Sequence, residues 1–305
     1  MQRYTVTDFM REFRTDFDCL EYLKELRWPD GIFCETCKRV TEHHPMKARR
    51  SFSCQSCGWH VHPTAGTIFH KSTTPLKLWF YTIYLMAQTR GGISAKQVER
   101  ETGVTYKTAW RMCKQIRSAL DERDRVLVGM VEADETYIGG RPRWKGEQKA
   151  GRGTRKTPVI GIVERDGGKA RVFVLKNVSG RSVLPLIRDN VQWGSTVYTD
   201  ELNVYHAVGG MMGYKHKTIH HTKQKYVVGD IHTNSVEGLW SLIKRGISGV
   251  YHSVGPAYLQ SYCNEYVFRY NHRNDMAPMF KTFLRRAVIP SQSHGQPRLE
   301  SAVDL

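Results

Sequence analysis

Residues 125–140 read RVLVGMVEADETYIGG, an apolar run that carries a carboxylate where a strand is expected to stop. Val126 to Asp134 has the length and β-branched content of a buried strand, with Asp134 closing it. Downstream, TPVIGIVE and KARVFVLKNV form two more strands, joined by Arg165-Asp166-Gly167-Gly168, whose turn chemistry favours a hairpin. A helix over Arg181–Asn190 follows, with Ser179 and Ser182 in its cap region, and then the strand STVYTD, ending at Asp200. A strand over Tyr214–Ile219, a helix starting near Thr233-Asn234 and a long helix from Pro256 to about Asn271 complete the series.

Three adjacent strands, a crossover helix and a parallel fourth strand, followed by alternating helix and strand, are what a ribonuclease-H-like fold requires. In that topology the first and fourth strands are neighbours, so Asp134 and Asp200 come together and the late helix packs across them. On that helix, HTNSVEGLWSLIKRGISGVYH from His232, Val236, Leu239, Trp240, Ile243 and Ile247 fall within about 140–240° of Asn234 at ~100° per residue. They form the core stripe. Asn234, Glu237 and Lys244 fall at about 0°, 300° and 280°, on one flanking face. Glu237 can therefore reach a cation held by Asp134 and Asp200, with Lys244 beside it. Three hard oxygen ligands with room for water suit Mg²⁺ or Mn²⁺, and a pair of such ions suits phosphodiester chemistry. Glu132, Glu135 and Glu201 are neighbouring acids that compete for the same reading.

Before residue 125 the pattern is different. Cys34-Glu-Thr-Cys37 and Cys54-Gln-Ser-Cys57 are two CxxC knuckles sixteen residues apart, each able to aim two thiolates at one tetrahedral Zn²⁺. With Ile32, Phe33, Phe52, Trp59 and Val61 around them they read as a zinc ribbon, whose core is too small to hold without metal. His43, His44, His60 and His62 are read as surface residues rather than ligands. Seven cysteines, an odd number, argue against a disulfide framework.

From Leu76 to Leu120 the periodicity is helical. GGISAKQVERETGVTYKTAWRMCKQIRSAL reads as a short helix, a turn at Gly103 and a second helix with Ala109, Trp110, Cys113, Ile116 and Leu120 on one stripe. This is a helix-turn-helix pattern, which would bring Thr105, Tyr106 and Lys107 near base edges and Arg111 near a phosphate.

The segments VEADETYIGG, VYTDELNVY and HTNSVEGLWSLIKRGISGVYH resemble the catalytic segments of DDE-type bacterial insertion-sequence transposases, of the group with an N-terminal zinc ribbon related to the Merlin elements. The resemblance runs from the ribbon to FRYNHR at 268–273. Sixty-five residues separate Asp134 from Asp200 and thirty-six separate Asp200 from Glu237. The second gap is typical of that class, and Lys244, seven residues after Glu237, matches its basic residue. The resemblance implies that Asp134, Asp200 and Glu237 hold two Mg²⁺ ions for DNA strand cleavage and strand transfer. Relatives with Asn as the third residue leave Asn234 open beside Glu237; a carboxylate is the better cation ligand.

The implied architecture is an α+β multidomain chain. It comprises a zinc ribbon region over 1–72, a helix-turn-helix region over 73–122, a ribonuclease-H-like catalytic domain over 123–285 and a tail over 286–305. Composition agrees: 46 Lys+Arg against 29 Asp+Glu give +17, an excess that favours double-stranded DNA as partner through counterion release. The insertion RPRWKGEQKAGRGTRK, residues 141–156, has seven basic residues against one Glu and is read as a phosphate-contacting segment. No run reaches the ~18 apolar residues of a membrane helix, and the N-terminus lacks a signal-peptide core. A cytoplasmic, nucleoid-associated protein is expected, assembling as a homo-oligomer when two element ends are synapsed. A DNA-binding regulator with a non-catalytic scaffold is the competing reading, and a nuclease without strand transfer a third. Tyrosine-based recombination is disfavoured, since nothing marks one of fifteen tyrosines as a nucleophile.

Overall fold

A computed structural model describes residues 3–46, 49–122, 126–139, 156–165, 167–210, 213–219 and 234–289. The insertion at 141–155 and the tail from 290 lie outside the described residues. The chain divides into two compact units, one containing residues 3–84 with residues from Phe280 onward, the other residues 85–279. Residues 280–285, grouped by sequence with the catalytic domain, thus pack in the first unit.

In that first unit, α1 (Val6–Glu12) and α2 (Asp16–Arg27) each begin with a capping box. Thr5 and Asp8, then Thr15 and Asp18, exchange side-chain and backbone bonds. Asp16 also accepts from the backbone N–H of Leu76 and Lys77 at 3.0 Å each, capping the start of α3 (Leu76–Gln88). The C-terminal helix, α9 (Met279–Ala287), was not read from sequence. Phe280 on it meets Phe9 edge-on at 5.7 Å and Phe13 at 5.9 Å, so an aromatic cluster joins the two ends of the chain.

Between α2 and α3 lies the ribbon. β1 (Ile32–Cys34) pairs with β2 (Arg39–Thr41), and β4 (Phe52–Cys54) pairs with both β3 (His43–Pro45) and β5 (His60–Val61), all antiparallel.

The second unit starts with α4 (Ala95–Thr102) and α5 (Tyr106–Ala119), capped by Ser94 and Thr105. Gly103 ends α4 at φ 70°, the left-handed turn residue the sequence marked. Ala109, Met112, Cys113 and Ile116 bury the inner face of α5. A sheet follows: β6 (Met130–Ile138), β7 (Thr157–Glu164), β8 (Ala170–Val174), β9 (Thr196–Asp200) and β10 (Lys215–Ile219). Its order is β8-β7-β6-β9-β10, with β7 antiparallel to both neighbours and β9 and β10 parallel to β6. This is the ribonuclease-H-like arrangement. α6 (Gly180–Asn190) and the 3₁₀ turn Asn203–Val208 cover one face through Val183, Ile187, Tyr205 and Val208. α7 (Asn234–Gly246) and α8 (Pro256–Asn271) cover the other through Val236, Trp240, Leu259 and Tyr266. α5 is tied to α8 by a buried pair, Arg117 Nε donating to Glu265 at 2.6 Å, and Arg269 also bonds that carboxylate.

One expectation is corrected here. Asp134 does not close its strand, because β6 runs four residues further, paired with β7 to Ile138. On its other side the ladder to β9 covers only Met130–Glu132, although β9 itself runs on to Asp200 in pairing with β10. Asp134 is therefore mid-strand on one edge and at an open end on the other. No helix among the described residues is long and apolar enough to cross a membrane.

Candidate functional site

Two sets of side chains gather as metal ligands would. The first is the ribbon's four cysteines, whose sulfurs all lie within 4.8 Å of one another. Cys34 Sγ is 3.5 Å from Cys57 Sγ, and Cys37 Sγ is 3.9 Å from Cys54 Sγ. Four thiolates at ~2.3 Å from a tetrahedral ion would stand about 3.8 Å apart, so the set fits zinc. Both knuckles use one turn. Lys38 N–H donates to Cys34 O at 2.8 Å and Gly58 N–H to Cys54 O at 2.9 Å, with φ of 55° at Lys38 and 75° at Gly58. The Thr41 hydroxyl beside Cys54 brings that thiol down to about 5, toward the thiolate a metal needs. His43 bonds Thr41 O at 3.0 Å, and among the described residues no histidine joins the four sulfurs.

The second set is at the open end of the β6–β9 ladder. The register Met130↔Thr196, Val131↔Val197, Glu132↔Tyr198, continued along both strands, brings Asp134 level with Asp200. Asp134, Asp200 and Glu135 each offer a carboxylate oxygen within 4.8 Å of the others. Glu135 is one of the neighbouring acids that compete with the expected ligands in the sequence, and strand alternation sends it to the opposite face from Asp134. There its carboxylate accepts from the Tyr205 hydroxyl at 3.0 Å, yet it stays within reach of the strand end. Burial lifts the Asp134 carboxyl to about 6; the bond from Trp240 opposes the rise, and the charges of Asp200 and Glu237 add to it.

Glu237 and Asn234 are exposed on the first turn of α7. Glu237 is close enough for its charge to act on Asp134 but is not part of the compact trio. Lys244, two turns on, has its ammonium pulled down by burial, while Asp134 works to hold the proton. Of the helical face read from sequence, Glu237 and Lys244 thus each lie near enough to Asp134 to interact with its charge.

What holds α7 against β6 was not read from sequence. Glu132 is fully buried; one carboxylate oxygen accepts from Arg165 Nε at 2.9 Å, the other from the Val236 N–H in the first turn of α7 at 3.0 Å. Arg165 in turn stacks 3.7 Å from the Tyr198 ring centroid. Trp240 Nε1 donates to Asp134 Oδ2 at 2.9 Å. Its ring lies over Gly161, opposite Asp134 in the β6–β7 ladder, where a Cβ would come within 2.7 Å of it. Glu132 and Asp134, two residues apart on one face of β6, are thus bonded to successive turns of α7. The signal for Glu132 was its presence in an apolar strand, where a buried charge needs a partner.

Two family models match the chain, an ISXO2-like transposase domain over residues 126–271 and a transposase zinc-ribbon domain over residues 14–60. The chain thus carries an ISXO2-like transposase domain behind a transposase zinc-ribbon domain. This transposase is 29% identical over 253 residues to an uncharacterized protein in transposable element ISH50 of Halobacterium salinarum, a match covering 78% of this chain and 85% of that one. Among solved structures, one chain of the simian T-cell lymphotropic virus intasome in complex with PP2A regulatory subunit B56 gamma is 12% identical. Its TM-score is 0.33, and 70% of this chain and 80% of that one are covered. A pre-cleavage Mos1 transpososome is 13% identical at TM-score 0.27, covering 70% and 77%. At these scores the likeness is slight.

Proposed function

We propose that this transposase binds the terminal inverted repeats of an insertion sequence and carries out divalent-metal-dependent strand cleavage and strand transfer, with Asp134, Asp200 and Glu237 as catalytic acids. The observation that carries the reading is the convergence of Asp134 and Asp200 at the open end of the β6–β9 ladder. Clustered hard oxygens fit Mg²⁺ or Mn²⁺. Bound there, such ions supply charge stabilisation for the attacking and leaving oxygens of an in-line phosphoryl displacement.

The chain's own groups have distinct tasks. Asp134 and Asp200 form a base fixed by strand register, and Trp240 fixes the direction of the Asp134 carboxylate. Glu237 supplies the third acid from the first turn of α7, and Asn234 beside it offers an amide to orient water or substrate. Lys244 offers a cation to a backbone phosphate next to the reacting one. Cys34, Cys37, Cys54 and Cys57 hold structural Zn²⁺, and the exposed start of α5 at Thr105, Tyr106 and Lys107 reads DNA. The protein works on chromosomal DNA, as an assembly that joins two ends.

A nicking assay on end-sequence duplex with Mg²⁺ tests this. Asp200→Ala is expected to abolish cleavage, by about 10³-fold or more, while leaving DNA affinity intact. Undiminished cleavage by that variant would overturn the assignment. Parallel Glu237→Gln, Glu135→Gln and Asn234→Ala variants identify the third group as the one whose loss matches that of Asp200.

A further inference from the structure

Beside α5 the second unit has a cleft of about 500 Å³ that the cleavage reading does not use. Its walls are aromatic. Tyr106 and Trp110 come from α5, Tyr258 from the first turn of α8, and Tyr251 from the turn that follows α7. Trp110 and Tyr258 stand perpendicular, 89° apart with centroids at 5.5 Å, so a flat ring stacked on one meets the other edge-on. Tyr106 and Tyr258 are 44% and 43% exposed, so aromatic surface is open to a ligand. Lys114 lies 5.3 Å from the Trp110 centroid and 5.6 Å from that of Tyr258, and no acidic side chain lines the cleft among the described residues.

The floor is rigid. Arg117 is buried, paired with the Glu265 carboxylate that Arg269 also bonds, and donates to the Tyr251 hydroxyl at 3.1 Å. Tyr251 closes a π-helical turn, Ile247–Tyr251, that continues α7 directly, and His252 after it has φ 60°, a conformation costly for a side chain of that size. This strained turn delivers Tyr251 and His252 to the cleft from the helix that carries Glu237 and Lys244.

We propose that the cleft receives one unpaired DNA base, stacked against Trp110 and Tyr258, with Lys114 on the adjoining phosphate. A base within a duplex shows only its edges, whereas an extruded or single-stranded base offers the π-face these rings require. A pocket of this size accommodates one nucleotide and not a duplex. Tyr106, in the cleft wall, also belongs to the exposed start of the recognition helix, so bound DNA passes its mouth. The inference rests on the DNA-cleavage reading, and it adds a base-binding site at a distance from the acids.

The test uses the full-length zinc-loaded protein without Mg²⁺, titrated with two fluorescent DNAs of one sequence, one fully paired and one with a 2-aminopurine base left unpaired. Wild type should bind the second more tightly, quenching the 2-aminopurine. Trp110→Ala and Tyr258→Ala should each lose roughly tenfold for that DNA and nothing for the paired duplex. Trp110→Phe and Tyr258→Phe, which keep a ring, should restore most of the loss and guard against misfolding. Equal loss on both DNAs, or no loss on either, would overturn the proposal. Wild-type protein that binds paired DNA without preferring the unpaired base overturns the cleft alone. Protein that binds neither overturns the DNA reading as well.

Discussion

The cysteine centre and the carboxylate centre are built in opposite ways. The four sulfurs come from residues 34–57, on two copies of one turn, and each knuckle places its pair by local backbone bonds. The carboxylates come from residues 134, 135 and 200, with Glu237 nearby, so nothing local brings them together. Their meeting depends on strand register and on how α7 sits against β6. The cysteine centre should therefore be sensitive to ligand loss and indifferent to remote packing, and the carboxylate centre sensitive to both.

The largest expected effect is at the sulfurs. Cys34→Ser should take bound zinc from near one per chain to near zero and unfold the ribbon, because metal binding there is worth on the order of 10 kcal/mol of folding free energy. Elemental analysis with far-ultraviolet dichroism checks this. A folded, metal-free ribbon would remove the contrast.

Next comes a residue that is not proposed as a ligand. Glu132→Ala withdraws the buried carboxylate from Arg165 and from the Val236 N–H, at a cost of about 3–5 kcal/mol. Its denaturation midpoint should fall, and Mn²⁺ affinity at the acids should weaken while zinc content stays unchanged. If Mn²⁺ affinity holds in the folded fraction, α7 is positioned by something else.

Gly161→Ala is a smaller perturbation of the same kind. A methyl group 2.7 Å from the Trp240 ring must push α7 away, costing about 1–3 kcal/mol. Loss of the Trp240 to Asp134 bond should appear as a change in tryptophan fluorescence together with slower cleavage. An unchanged spectrum would mean that the helix accommodates the methyl without moving.

The smallest effect separates the two knuckles. Lys38→Gly should stabilise the ribbon by about 0.5–1 kcal/mol, and Gly58→Ala should destabilise it by a similar amount, since both positions have positive φ and Gly58 has open space around it. Thermal melts of the two variants should move in opposite directions. Parallel shifts would show that the turns are not equivalent.

The ribbon was legible because CxxC spacing and its turn are one local fact. The strands of the second unit were legible by period and composition, as were the faces of α7, because helical angle is fixed by residue number alone. Three features were not legible. The end of β6 was missed because pairing with β7 continues past the point where pairing with β9 stops, and a single strand does not reveal which edge is open. Glu135 could not be told from Glu132 and Glu201 as a competing acid, because spacing along the chain does not show which of them borders the open strand end. α9 was missed because its amphipathic face follows a break at Asp275 and Pro278, and its aromatic partners lie at the far end of the chain.

Residue order by itself determined the metal-ligand chemistry of the ribbon, the alternation of strand and helix in the second unit, and the acidic and basic face of α7, all of which follow from spacing along the backbone. Tertiary structure alone decided which carboxylates share a centre, that Glu132 and Trp240 bond to α7 and β6 across the sheet face, and which unit receives α9. Those are relations between segments more than sixty residues apart, and they exist only once burial of apolar surface has brought distant segments into contact.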